Sequence, residues 1–266
     1  MKGKAKRVML KQKIKNREKI IGMHVNLCDV GVAKIAGLAG YDFIWVDMEH
    51  SYLSFETLLG HIIAIQATGT PVIVRAPQDD LTATKKILEM GVDGIIFPMI
   101  NTAEEAERLI AMTLYPPYGA RGFGPMNAVD YGFRNVREYT TNNHKDMCRF
   151  VQIEHKIAVE NLNEIIENPY IDGYIIGPFD LSGSYDRLCD VFSEEITGTI
   201  ESVVKKLHKA GKYVGLSTGD NRDTTLTHWH ELGIDMLSAG TDYEFLREMA
   251  IDNRKRLEMI HKCTNQ

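Results

Sequence analysis

This chain of 266 residues has no apolar run near the roughly 20 residues that a bilayer-spanning helix needs, so no membrane partner is expected. It also lacks an excess of positive charge. Its 31 Lys and Arg against 36 Asp and Glu leave a net charge of −5, and the pI is near 6.0, so nothing points to nucleic acid. Cysteine is scarce. Cys28, Cys148, Cys189 and Cys263 are scattered and form no CxxC, which fits reduced thiols in a cytoplasmic protein better than disulfides or a zinc site. No GxGxxG follows the first apolar run, which argues against a dinucleotide fold. The glycines from Gly119 to Gly124 lack the lysine and the spacing of a phosphate-binding loop. The amino terminus carries Lys2, Lys4, Lys6, Arg7, Lys11, Lys13, Lys15, Arg17 and Lys19. It has neither the apolar core of a secretory signal nor an Arg-rich presequence composition, and a solvated leader helix is expected there.

What is present is a rhythm. At 44% hydrophobic residues there is material for a large core, and short apolar runs alternate with longer amphipathic segments, the βαβα pattern of a parallel α/β protein. Strands are expected at 20–25, 43–47, 72–75, 94–98, 149–153, 174–177, 213–216 and 236–239. Helices are expected at 31–38, 54–67, 80–90, 103–114, 136–143, 159–167, 194–210 and 222–232, with a long closing helix over 243–261. Eight strand–helix units in this length favour one (β/α)8 TIM barrel, a fold of about 250 residues, over an open sheet. With no linker or repeat, a single domain over 1–266 is expected. The irregular stretch 115–134, rich in Gly and Pro, is long enough to suggest a functional loop.

In such a barrel the chemistry sits at the carboxyl ends of the strands. The second strand ends Asp47-Met48-Glu49-His50, the third in Arg75, the fourth in Pro98-Met99, the fifth in Glu154 and the sixth in Gly177-Pro178-Phe179-Asp180. Two acids from neighbouring strands suit a hard divalent cation bound through oxygen, and Lewis-acid help of that kind suits enolisation of a 2-keto acid. Arg75 offers a planar fork of donors to a carboxylate or an oxyanion. His50 offers an imidazole that can carry a proton. Lysines at strand ends are few, so a Schiff-base route is less attractive. His24, at the end of the first strand, is balanced between a supporting role and a structural one. His155, beside Glu154, is taken as structural.

Asp47-Met48-Glu49-His50, Val74-Arg75, Pro98-Met99, Tyr115-Pro116-Pro117, Arg121-Gly122, Val151-Gln152-Ile153-Glu154 and Ile176-Gly177-Pro178-Phe179-Asp180-Leu181-Ser182, taken in order, resemble the HpcH/HpaI aldolase family of metal-dependent class II pyruvate aldolases, which includes 2,4-dihydroxyhept-2-ene-1,7-dioate aldolases. The resemblance implies a barrel of the phosphoenolpyruvate/pyruvate-domain type. Its last helix would pack on a neighbouring subunit in a homo-oligomer, a hexamer or a trimer. The activity it implies is reversible cleavage of a 4-hydroxy-2-keto acid to pyruvate and an aldehyde. Glu154 and Asp180 would be metal ligands for Mg2+ or Mn2+, with Co2+ or Zn2+ as further candidates. His50 would be the acid–base residue with Glu89 as its partner. Arg75, Gln152, Gly177, Pro178 and Phe179 would bind substrate, and Asp47, Glu49 and Arg121 would support them, Arg121 by bracing the Gly-rich loop.

Departures from the family pattern stand at Glu89, where the partner of the histidine is usually Asp; at Phe179, where the residue is often small; and at Asn127 and Asp130, where arginines are frequent in the loop expected to meet the aldehyde half. Two other readings remain. One is an acyl-CoA lyase of the citrate lyase β-subunit type. The other is a non-catalytic pyruvate-binding subunit.

Overall fold

The computed structural model describes residues 10–263. Eight parallel strands close into a barrel in chain order, β8 pairing with β1. They are β1 (Ile20–Val25), β2 (Phe43–Asp47), β3 (Val72–Arg75), β4 (Gly94–Phe97), β5 (Cys148–Ile153), β6 (Gly173–Ile176), β7 (Val214–Thr218) and β8 (Met236–Thr241). The helices are α1 (Val30–Leu38), α2 (Phe55–Thr68), α3 (Leu81–Glu89), α4 (Ala103–Ala111), α5 (Val136–Asp146), α6 (Lys156–Glu160), α7 (Leu162–Ile165), α8 (Pro178–Ser184), α9 (Glu194–Lys209), α10 (Asp223–Glu231) and α11 (Asp242–Cys263). Side-chain caps set several starts: Asp29, Ser54 and Asp80 each accept an N–H of the first turn, and Thr102 forms a capping box with Glu105.

Strand parity divides the core in two. Val, Ile and Leu on the outward faces of the strands pack against the helices, whereas Phe43, Trp45, Ile73, Ile96, Phe150 and Ile175 fill the inside. Glycine makes that filling possible. A Cβ on Gly22 would stand 2.3 Å from the Phe43 ring, so the wide ring fits only beside a residue with no side chain. The next inward positions toward the carboxyl ends are polar: His24, Asp47, Arg75, Gln152 and Ser217. The interior therefore changes from oil to hydrogen bonds at the rim where the site forms.

The other rim is closed by the start of the described chain. Residues 10–15 are helical, and Leu10 and Ile14 join the inner core. Lys11 is buried, donating to Asp172 at 2.8 Å and to the Met147 carbonyl at 2.7 Å. This part of the expected solvated leader is thus a plug, because two of its apolar residues face the open end of the barrel. Lys2, Lys4, Lys6 and Arg7 lie outside the described residues. The long loop after α4 starts where that helix has returned to the strand starts, and it runs through α5 into β5, so it belongs to this same amino-terminal rim.

At the far end, α11 stands largely exposed, with Leu246, Met249, Leu257, Met259 and Ile260 uncovered. Among the described residues no helix is long and apolar enough to cross a membrane.

Candidate active site

Arg75 is the hub of the carboxyl-terminal rim. Register places it beside Asp47 on the neighbouring strand. Asp47 accepts from Arg75 Nε at 2.9 Å and from Nη2 at 2.5 Å, a bidentate fork–fork pair. Nη1 faces Glu49 Oε2 at 3.1 Å and donates to Gln152 Oε1 at 3.5 Å. The guanidinium also lies over the Trp45 ring, 5.5 Å from its centroid. Burial works against the charge on Asp47, but the Arg75 hydrogen bonds and charge outweigh it and hold the carboxyl below its usual range. The same carboxylate accepts from the Glu49 N–H at 3.0 Å and lies 3.5 Å from the His50 N–H, which fixes the turn carrying the histidine. His50 itself is 66% exposed, with Nε2 3.7 Å from Glu49 Oε2.

Across the mouth, Gln152 donates to Glu154 Oε2 at 2.7 Å, and the Met99 N–H donates to Oε1 at 2.8 Å. Met99 holds a left-handed backbone, φ +52°, at the turn that aims this N–H. Glu154 is 2% exposed. Burial pushes its carboxyl up to about 8; the Met99 N–H and Arg75 pull the other way, and the charges of Asp180 and Glu49 push further up. Burial likewise raises Glu49. Gly177 allows the carboxylate to lie where it does: an added Cβ would stand 2.5 Å from Glu154 Oε2. Asp180 sits in the first turn of α8, after Pro178 at its start, within electrostatic reach of both Glu154 and Glu49.

Glu154, buried against its own charge, and Asp180 within electrostatic reach of it are the pair of carboxylates that fits a divalent cation. Among the described residues no group of three or more His, Cys, Asp or Glu side chains is placed to hold a metal ion, so any ion here would rest on two protein carboxylates. Two carboxylates leave the rest of the coordination to water and substrate, which suits a hard divalent cation that keeps part of its hydration shell.

The structure thus brings together His50, Arg75, Gln152, Glu154, Gly177, Asp180, Asp47 and Glu49. Pro178 is buried beside them, whereas the Phe179 ring is 38% exposed. Two expected site residues are elsewhere within this chain. Glu89 ends α3, and α3 returns from the carboxyl-terminal rim to the amino-terminal one. It pairs there with Arg121, Nη2 to Oε1 at 3.2 Å. Arg121 is buried between Tyr115 and Tyr139 and braces its loop, but the loop is on the rim away from His50. Neither residue reaches His50 in its own chain, because the connection from a helix to the next strand must end where strands begin. Asn127 and Asp130 are displaced with that loop. His155 accepts from the Ile157 N–H and caps α6, a structural role.

Two residues were underweighted. The Met99 N–H left no signal in the sequence, since a backbone donor has no residue type. His24 did, being two residues beyond inward-facing Gly22. Its Nδ1 donates to the Gly240 carbonyl at 3.1 Å, and Nε2 accepts from Ser217 at 3.0 Å or Ser238 at 3.3 Å. Burial lowers its pKa to about 4 and keeps the ring neutral.

The chain is similar to several known proteins. The model of the HpcH/HpaI aldolase/citrate lyase family matches residues 20–243. A hydroxypyruvate/pyruvate aldolase of Deinococcus radiodurans is 33% identical over 230 residues, 86% of this chain and 82% of that protein. A 2-keto-3-deoxy-L-rhamnonate aldolase of Escherichia coli is 29% identical over 245 residues, 92% of this chain and 90% of that protein. A crystal structure of an HpcH/HpaI aldolase/citrate lyase family protein from Burkholderia cenocepacia superposes with a TM-score of 0.88 at 25% identity, covering 94% of this chain and 99% of the other.

Proposed function

The chain belongs to the HpcH/HpaI aldolase/citrate lyase family, and from that premise we propose that it is a class II pyruvate aldolase, a carbon–carbon lyase that reversibly cleaves a 4-hydroxy-2-keto acid to pyruvate and an aldehyde. The observation that carries the reading is the position of Arg75. It is held by Asp47 and Glu49 and linked through Gln152 to Glu154, and His50 faces the same Glu49.

Glu154 and Asp180 would hold a magnesium or manganese ion, which when bound supplies Lewis-acid stabilisation for negative charge developing on the keto oxygen, worth several kcal/mol. The remaining roles belong to this chain. Arg75 has five N–H donors; those facing Asp47, Glu49 and Gln152 leave one on Nη2 for the substrate. Gly177 offers close backbone approach, and the backbone from Gly177 to Asp180 would meet the keto-acid carboxylate. His50, with its ring in solvent reach, takes the C4 hydroxyl proton. The C3–C4 electron pair then passes into an enolate beside Arg75, and a proton returned to C3 gives pyruvate. Glu89 serves His50 only across a contact between chains, since within its own chain it faces Arg121. The exposed apolar side chains of α11 are the face we assign to a second copy of this chain.

Oxaloacetate decarboxylation forms the same enolate and tests the reading simply. It should proceed with Mg2+ or Mn2+, stop with EDTA, resume on metal addition, and be lost in Glu154→Ala. Turnover that survives in Glu154→Ala, or that ignores EDTA, contradicts the proposal. No turnover at all, of oxaloacetate or in pyruvate–aldehyde condensation, would leave a silent binding subunit.

A further inference from the structure

Trp45 points into the barrel one inward position deeper than Asp47 on β2, and it is wholly buried. The Arg75 guanidinium lies over its ring, 5.5 Å from the centroid. We infer that Trp45 is a positioning residue for the enolate-forming reaction: its π face seats the Arg75 guanidinium and leaves the last guanidinium donor to the substrate. The inference deepens the aldolase reading above and rests on it.

The donors of Arg75 are nearly all committed. A guanidinium side chain has five N–H groups. Asp47 takes the one on Nε and one on Nη2, and Glu49 and Gln152 face the two on Nη1. One group on Nη2 is left. Another hydrogen-bonding partner would take that group from the substrate. An aromatic face attracts a cation through the ring quadrupole and needs no N–H aimed at it. It therefore adds a wall against the cation at no loss of a donor.

The residue type supports this role. Trp45 Nε1 is buried and has no hydrogen-bond partner among the described residues, whereas a buried indole N–H usually finds one. Leaving it unpaired is destabilising, and Leu or Phe would fill the space without that penalty. What indole adds is the strongest π face for a cation, and a cation stands on it. The contact is also unopposed. His24 meets the Trp45 ring edge-on, with centroids 5.0 Å apart. Its nitrogens are engaged by Gly240 and Ser217, and burial keeps the imidazole neutral. No second cation from that side contends for the ring.

The test places tryptophan and its monofluoro, difluoro and trifluoro forms at position 45 of the full-length protein by stop-codon suppression. Fluorine nearly keeps the shape of the ring but drains the electron density that a cation feels. Each protein is assayed for oxaloacetate decarboxylation with Mg2+. With increasing fluorination kcat should fall stepwise, by about tenfold in all, while KM hardly moves, the pattern of an interaction made in the transition state. Trp45→Phe, which keeps a weaker π face, should retain more turnover than Trp45→Leu. A kcat that stays flat across the fluorinated series shows that the ring only fills space and overturns the inference, as does a loss carried by KM alone. The series decides even if Trp45→Leu fails to fold, because it leaves the packing in place. If the unaltered protein decarboxylates oxaloacetate and the series is flat, this inference falls and the aldolase reading stands; if the unaltered protein has no metal-dependent turnover, both fall.

Discussion

Replacing Asp47 by Asn tests whether one ion pair organises both stability and catalysis. Asn keeps an oxygen for Arg75 Nε and for the Glu49 N–H, but it sets an amide NH2 against Arg75 Nη2 where a carboxylate oxygen now lies. The Asp47 side chain is only 4% exposed and that of Arg75 11%, so water cannot take over the lost bond. Breaking one member of such a buried charged pair costs about 3 kcal/mol, at the low end for buried pairs because Glu49 still faces the guanidinium. At roughly 2–4 °C per kcal/mol for a chain of this size, the melting temperature should drop by about 6–12 °C. A guanidinium turned away from its seat by about an ångström should lower kcat about 10²-fold. There is also a pH signature. The folded-state pKa of Asp47 lies below its unfolded value, so its stabilisation is complete above the unfolded value, near 3.9. It is lost as pH falls through the lower folded value, and the acid limb of stability between about pH 5 and 3 should therefore be shallower in Asp47→Asn. Thermal melts across pH, with oxaloacetate turnover on the same samples, supply every reading. A variant within 2 °C and twofold of the parent, by about the error of such assays, would refute the view that Arg75 depends on this partner.

Other outcomes follow from the same site. His50→Asn should lower cleavage of a 4-hydroxy-2-keto acid by about 10²–10⁴-fold and oxaloacetate decarboxylation far less, because only the first reaction removes a hydroxyl proton; equal losses in steady-state kinetics would remove His50 from that step. Gly177→Ala drives a methyl group onto Glu154 and should weaken Mn2+ binding, read by calorimetry, by about tenfold or more; unchanged affinity would show that Glu154 is not a ligand. His24, with a folded pKa near 4 against about 6.5 unfolded, stabilises fully above the unfolded value. About 3 kcal/mol should be lost as pH falls from 6.5 toward 4, and His24→Gln should flatten melting temperature over that range; parallel curves would mean the ring is protonated in the fold. Glu89→Gln should lower the melting temperature through its pair with Arg121, measured by calorimetry; a shift in the pH profile of cleavage instead would place it beside His50 of another chain.

Much of the barrel was legible because its strands are short, apolar and regularly spaced. The bounds of β1, β2 and β3 are those expected, and the others differ by one or two residues at one or both ends. The helix over Pro178–Ser184 was missed because its Gly and two Ser are weak helix formers and its apolar side is too short to show a period, although Pro178 at the first position is a start signal. The helix expected over 159–167 is two short ones broken at Asn161. The site acids were found by their places at strand ends. The loop over 115–134 was read for its composition, and composition does not say which rim a loop occupies; its place after the returning end of α4 does.

Order along the chain determined the eight-stranded closure, the polar rim and the identity of the residues that line it, because strand parity alone sends Asp47, Arg75 and Gln152 inward at one end. Tertiary structure decided the rest, since it depends on which backbones come close. It turned Met99 N–H onto Glu154, set Gly177 where a carboxylate could pass, and carried Glu89 and Arg121 to the opposite rim. Residue types and spacing fix which groups can act, but direction and distance in space fix which of them meet.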